Sequence, residues 1–274
     1  MAIKDQLLAA LFVLVAWWAS TGAILLMDGL PRSTFRFSVT GVSVLALGGL
    51  FGLAWTSRAE SQLAAYLAFV FALAVWAWHE LTFLLGIVTG PRKEPCPPEA
   101  RGWRRFAYAT SAVIHHELGL AITLITVVAL TWGAPNQVGT WTFLVLWIMR
   151  LSAKLNVFLG VRNLTTEFIP DHLRYLLSYF RKARLNPLMP VSLIVGSAVV
   201  VYLLTSGRAA DTTGVISVGR TMVATLLALA VLEHLFLTLP LPDALLWRWA
   251  LRAGHGQAAD PSVAPGEHSS LPRS

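Results

Sequence analysis

The sequence predicts an all-α membrane protein of about seven transmembrane helices, and three observations carry that expectation. Of its 274 residues, 56% are hydrophobic and only 13% charged, with a mean hydropathy of +0.64. Such a composition belongs to multi-spanning proteins rather than to large soluble domains. The apolar residues fall in runs of roughly 20, the length a helix needs to cross the hydrocarbon core. Short breaks rich in Gly, Pro, Ser and Arg separate them.

The first run, 6–29, is too long for the apolar core of a cleavable signal peptide and reads as an anchor that ends at "GLPRSTFR". The second, 37–56, stops at "TSRAES", and the third, 63–89, at "TGPRKEPCPPEARGWRR". The fourth, 106–132, is closed by "WGAPNQVG" and the fifth, 140–160, by the polar stretch 161–187. The sixth, 188–206, ends at "TSGRAADTTG", and the seventh covers 219–240. These spans form one transmembrane domain over 1–241. The remainder, 242–274, is expected to be a mostly disordered tail, because "RAGHGQAADPSVAPGEHSSLPRS" lacks the apolar periodicity to bury anything.

Charge decides the expected orientation. Fifteen Lys and Arg residues lie on the face that holds the first, third and fifth connections and the C-terminus, against Lys4, Arg58, Arg208 and Arg220 on the other. The positive-inside rule then puts the N-terminus on the outer, periplasmic side and the C-terminus in the cytoplasm, in a multi-pass membrane protein. The net charge of +7 therefore reflects topology, and nucleic-acid binding is not expected. The single Cys96 excludes an intrachain disulfide and any CxxC metal motif, and it falls in the reducing compartment.

The segment 171–184, "DHLRYLLSYFRKAR", is too polar to span. It puts Leu173, Leu176, Leu177 and Phe180 on one helical face, with Arg174, Arg181, Lys182 and Arg184 largely elsewhere. This pattern predicts an amphipathic helix on the cytoplasmic surface, in contact with membrane lipid, whose simplest role is to anchor a long loop.

Polar residues inside the spans carry the functional signal, since ionisable groups there are costly and mark sites by default. "SAVIHHELGL" puts His115, His116 and Glu117 side by side in the fourth span. A rise of about 1.5 Å per residue places Glu80 and His116 at roughly 14–16 Å from the cytoplasmic end. Arg150 and Lys154 lie four residues apart on one face of the fifth span. Glu233 and His234 come from the seventh span; Asn156, Asn163, Glu167 and His172 gather on the same side.

Three readings fit this layer. Glu80, Glu117 and Glu233 could be balanced by Arg150 and Lys154 in an ion-pair network. Alternatively Glu80, His116, Glu117, Glu167, His172, Glu233 and His234 could ligate iron, manganese or zinc, as facing helices do in bundle di-metal sites. Adjacent Glu and His diverge by about 100° on a helix, so only His115 with His116, or His116 with Glu117, can serve one centre. The third reading is a pigment site in which a neutral histidine is an axial ligand to a chlorophyll-type magnesium or a haem iron. Ala109, Ser111, Ala112 and Gly119 would make room for a macrocycle there, as they would for close helix packing. His79, His115, Lys154 and Asn156 are the further candidates for holding such a cofactor. Trp76, one turn from Glu80, reads as core packing, and Trp55, Trp103, Trp132, Trp141 and Trp247 as an interfacial belt. The chain has no GxSxG, phosphate loop, dinucleotide fingerprint or HExxH, and its spans show no inverted repeat.

"WHELTFLLGIVTGPR", the HHE of 115–117, "LSAKLNVFLGVRNLTTEFIPDHLRYLLSYF" and "NPLMP" resemble the PuhE-type photosynthetic complex assembly proteins of purple phototrophic bacteria, over roughly residues 7–240. The resemblance implies an inner or intracytoplasmic membrane protein that assists assembly of the reaction centre and core light-harvesting complex. Its partners would be subunits of those complexes or their pigment. Onto this chain it carries the motif positions His79, Glu80, Arg92, His115, His116, Glu117, Lys154, Asn156, Asn163, Glu167, Pro170 and His172, without a chemical role for any. The enzymatic alternative is a metal-dependent membrane oxidoreductase or hydroxylase acting on a lipophilic tetrapyrrole, carotenoid or quinone, with Lys154 or Arg150 steadying a charged intermediate.

Overall fold

The computed structural model describes residues 3–163, 169–184, 186–206, 214–239 and 246–250. Among the described residues, seven helices are long and apolar enough to cross a membrane. They are α1 Ile3–Asp28, α2 Phe35–Thr56, α3 Gln62–Leu84, α4 Gly102–Thr131, α5 Val138–Leu159, α6 Leu188–Ser206 and α7 Gly214–Phe236. The N–H of Asn136 donates to Ser57 O, which brings the α2–α3 and α4–α5 turns to one end of the bundle. At the other, basic end, the N–H of Asn163 donates to Leu237 O, joining the segments that follow α5 and α7.

The middle of the bundle is α3 and α7, the two most buried spans, and α6 is the least buried. Ala65, Ala68 and Ala72 recur on α3 at helical spacing and are buried with Phe69, Trp76, Phe143, Met222 and Leu226. Small side chains at this spacing let helices approach closely, which is how membrane helices gain packing energy without a hydrophobic driving force between them. Trp76 meets Phe143 edge-on at 5.6 Å, so it belongs to the core as its sequence position suggests.

Local capping explains the helix ends. The third span ends at Leu84 rather than running to 89, because Gly86 turns the chain with φ +72°. The N–H groups of Gly86 and Ile87 return to Phe83 O and Thr82 O, both at 2.9 Å, the paired bonds of a Schellman motif. The chain then runs back along α4: the N–H of His116 donates to Thr89 O (3.0 Å) and that of Arg92 to Ser111 O (3.3 Å). Only glycine fits at Gly90, since a Cβ there would collide with the backbone of Ser111 and Ala112. Ser61 caps α3 by accepting from the N–H of Ala64. Asn186 caps α6, its Oδ1 accepting from the N–H groups of Leu188 and Met189 at 3.0 Å.

The expected surface helix differs from its sequence reading. It is a 3-10 helix over Asp171–Tyr179, and from Phe180 the chain is extended, with a bridge between Val161 and Lys182. Three residues per turn select a different buried edge from the one a 3.6 period selects. Leu173, Leu176 and Tyr179 go inward against Phe83 and Ala112, while Leu177 does not join them. The segment therefore caps the bundle. Residues 246–250 also pack, with Trp247 buried against Leu25 and Trp17 instead of standing in an interfacial belt. The tail beyond them, 251–274, lies outside the described residues.

Candidate functional site

Two ion pairs cross the interior. Arg150 Nη2 on α5 lies 3.0 Å from Glu80 Oε2 on α3, and Lys154 Nζ, one turn further on, lies 2.6 Å from Glu117 Oε1 on α4. Positions 147, 150 and 154 share a face of α5. From that face the Trp147 indole N–H also donates to Glu117 Oε2 at 3.3 Å. Glu233 on α7 accepts from the Trp17 indole at 3.0 Å and acts electrostatically on Arg150. Five charged groups from α3, α4, α5 and α7 thus form one cluster, in the arrangement that the ion-pair reading describes. Glu80 is nearly sealed, with a side-chain exposure of 9%, whereas Arg150 is 44% exposed and reaches the outside of the bundle.

The neighbouring histidines point elsewhere. His116 is 1% exposed, its ring 4.6 Å from Phe83 and 6.3 Å from His79. Among the described residues neither of its ring nitrogens has a hydrogen-bond partner. His79 bonds through Nε2 to the Thr123 hydroxyl at 2.9 Å, while its Nδ1 faces the open side of Gly119. His115 is exposed and heads a stripe with Leu118, Ile122 and Ile125, each more than half exposed. One triplet therefore serves three environments: His115 outside the bundle, His116 against α3, and Glu117 against α5. The turn of about 100° per residue makes this separation unavoidable.

His234 belongs to a second cluster. Its Nδ1 donates to Ala230 O at 2.8 Å, so its Nε2 is the acceptor for the Ser152 hydroxyl at 3.0 Å. Ser192 joins Ser152 at 2.9 Å, and Asn156 Nδ2 donates to Ser192 Oγ and Ser152 O. Hydroxyls and amides thus tie α5, α6 and α7 together below the ion pairs. His172 stands at the basic end and donates from Nε2 to Leu84 O at 2.7 Å. Asn163 Nδ2 donates to Phe236 O and Leu239 O, which fixes the chain leaving α5 to the end of α7. Glu167 lies outside the described residues. Among the described residues, no three His, Cys, Asp or Glu side chains come together as metal ligands.

A hydrogen-bonded cap closes the basic end. Arg92 Nε donates to the Tyr179 hydroxyl at 2.8 Å and its guanidinium stacks on Tyr108. The bond to Tyr179 holds the Arg92 guanidinium above its ordinary pKa. Arg105 donates to Phe158 O and Tyr179 O, joining α4, α5 and the 3-10 helix.

Sequence reading missed Thr123, Trp147, Ser152, Ser192 and Asn186, which are partners of residues it did select. A lone hydroxyl or indole in an apolar span gives no signal until its neighbour on another helix is known.

The family model described as "Protein of unknown function (DUF3623)" matches residues 3–258. A Rhodobacter capsulatus protein named "Uncharacterized 30.4 kDa protein in puhA 5'region" is 42% identical over 253 residues, covering 91% of this chain and 92% of that protein. No solved structure matches the chain. By the extent of both matches, the chain belongs to the DUF3623 family.

Proposed function

We propose that this protein is an integral inner-membrane factor that assists assembly of the photosynthetic reaction centre and core light-harvesting complex. The observation that carries the reading is the Rhodobacter capsulatus relative, whose printed name sets it in the puhA 5' region. The sequence motifs at 78–92, 115–117 and 151–180 support it by their resemblance to assembly proteins of purple bacteria. The basic end faces the cytoplasm in this reading, as the positive-inside rule expects.

The buried charges work as a scaffold. Each carboxylate of the two ion pairs meets a cation carried by α5, and this ties α3 and α4 to α5 in one register. The group left for an intramembrane partner is His115, an imidazole on an otherwise apolar exposed stripe of α4. Polar groups at such depth are retained for a use. A bacteriochlorophyll-bearing partner would meet Nδ1 or Nε2 of His115 as a ligand to magnesium.

The test is deletion of the gene in a phototrophic host, with the near-infrared absorption of membranes as readout. The expected result is a loss of reaction-centre and core-antenna bands, restored by the wild-type gene and not by His115→Ala. Unchanged bands in the deletion strain would remove the assembly role; full restoration by His115→Ala would remove that residue from it.

A further inference from the structure

We propose that the basic end carries a binding site for a phosphate group, in the cavity bounded by the α1–α2 turn, the C-terminus of α3 and the 3-10 helix Asp171–Tyr179. The cavity measures about 330 Å³, and Arg32, Phe35, Leu85, Lys93, His172 and Leu173 are among its lining residues. Its walls divide by chemistry. Phe35 and Leu85 at the ends of α2 and α3, with Leu173 of the 3-10 helix, form the apolar wall, while Arg32 and Lys93 supply two permanent cations. Basic pockets between helices at a membrane surface take lipid headgroups in this way, with the phosphate at the rim and the first chain atoms against the apolar wall.

Capping of α3 explains part of this arrangement and leaves the rest. His172 Nε2 donates to Leu84 O, and Lys93 Nζ donates to Gly86 O at 3.2 Å, so both satisfy carbonyls at the helix C-terminus. Lys93 keeps two further N–H groups after that bond. Arg32 takes no part in capping, and among the described residues its guanidinium makes no hydrogen bond or ion pair. Asp28 lies within electrostatic reach of His172 and offsets charge on that side of the cavity. Arg32 and Lys93, from two different connections, are then the charges left over for an oxyanion.

A phosphate could arrive as a phospholipid headgroup or as the free ion. The test uses the full-length protein in detergent micelles, and native mass spectrometry reads bound dioleoyl-phosphatidylglycerol against dioleoyl-phosphatidylcholine offered in equal amounts. Both lipids carry the phosphate, but the quaternary ammonium of phosphatidylcholine cancels its charge and is repelled by Arg32 and Lys93; with each cation contributing about a factor of five towards the anionic headgroup, a preference of about 25-fold for phosphatidylglycerol is expected. Arg32→Gln combined with Lys93→Gln should abolish it, whereas Arg248→Gln should leave it intact. Arg32→Lys combined with Lys93→Arg should keep it. Both cations are exposed, and the Gln amide at 93 can still donate to Gly86 O, so thermal unfolding of the variants should stay close to wild type. A preference that millimolar inorganic phosphate does not displace assigns the site to lipid. Binding of inorganic phosphate that needs Arg32 and Lys93, without lipid preference, assigns it to the free ion. If neither probe binds, or if Arg248→Gln lowers binding as much as the double variant, the proposal fails.

Discussion

Lys154 and Glu117 approach to 2.6 Å across the α4–α5 interface and form the shorter of the two ion pairs that cross the bundle. Both side chains are mostly withdrawn from the surroundings, at 25% and 16% exposure. Removing one partner strands the other, and an uncompensated buried charge costs about 3 kcal/mol or more.

Glu117→Ala should therefore destabilise the protein by about that amount, measured by thermal or denaturant unfolding in detergent. Glu117→Gln combined with Lys154→Met should recover most of the loss, because removing both charges removes the stranded one. Near-stoichiometric iron or manganese in the wild type, lost in Glu117→Ala, would replace the ion-pair account with a metal centre.

His116 offers the opposite case. A buried imidazole with two unpartnered nitrogens carries a desolvation cost that an apolar ring of similar shape avoids. His116→Phe should leave stability unchanged or raise it by about 1 kcal/mol, read as an unfolding midpoint. A loss of several degrees would mean that the ring nitrogens hold something essential.

The glycines beside α4 should respond unequally to alanine. A Cβ at Gly119 would meet only the His79 ring, at 3.5 Å, so Gly119→Ala is expected to be tolerated and to favour the helix. Gly90→Ala would drive a methyl into the backbone of Ser111 and Ala112 and should cost about 1–3 kcal/mol. Equal unfolding midpoints for the two variants would contradict the close approach of the loop to α4.

Asn186 caps α6 and also donates to Gly160 O at 2.6 Å, so it joins two helix ends. Asn186→Ala should lower stability by about 1–2 kcal/mol, the usual cost of a lost N-cap. Asn186→Ser should recover the cap but not the bond to Gly160, giving an intermediate midpoint. Hydrogen exchange at the start of α6 should rise in parallel.

The sequence by itself determined the seven apolar spans and the level along them at which Glu80, Glu117, Arg150, Lys154 and Glu233 lie. Run length sets how many times a chain can cross, and a fixed rise per residue sets depth, so neither needs a neighbour to be known. It could not decide which charge meets which. That depends on the rotation of each helix about its axis, set by packing of Ala65, Ala68 and Ala72 against the adjacent helices. The same rotation sent His115 outward and turned His116 towards Phe83, although the two are adjacent in the chain. The end of α3 was hidden as well: "LLGIVTG" reads as one apolar run, and only the positive φ of Gly86 with its two returning bonds breaks it at Leu84. The segment 171–184 showed its amphipathic character in sequence, but the choice of a 3-10 turn was tertiary. A three-residue period lets Leu173, Leu176 and Tyr179 reach Phe83 and Ala112 together, and that burial decides the helix type.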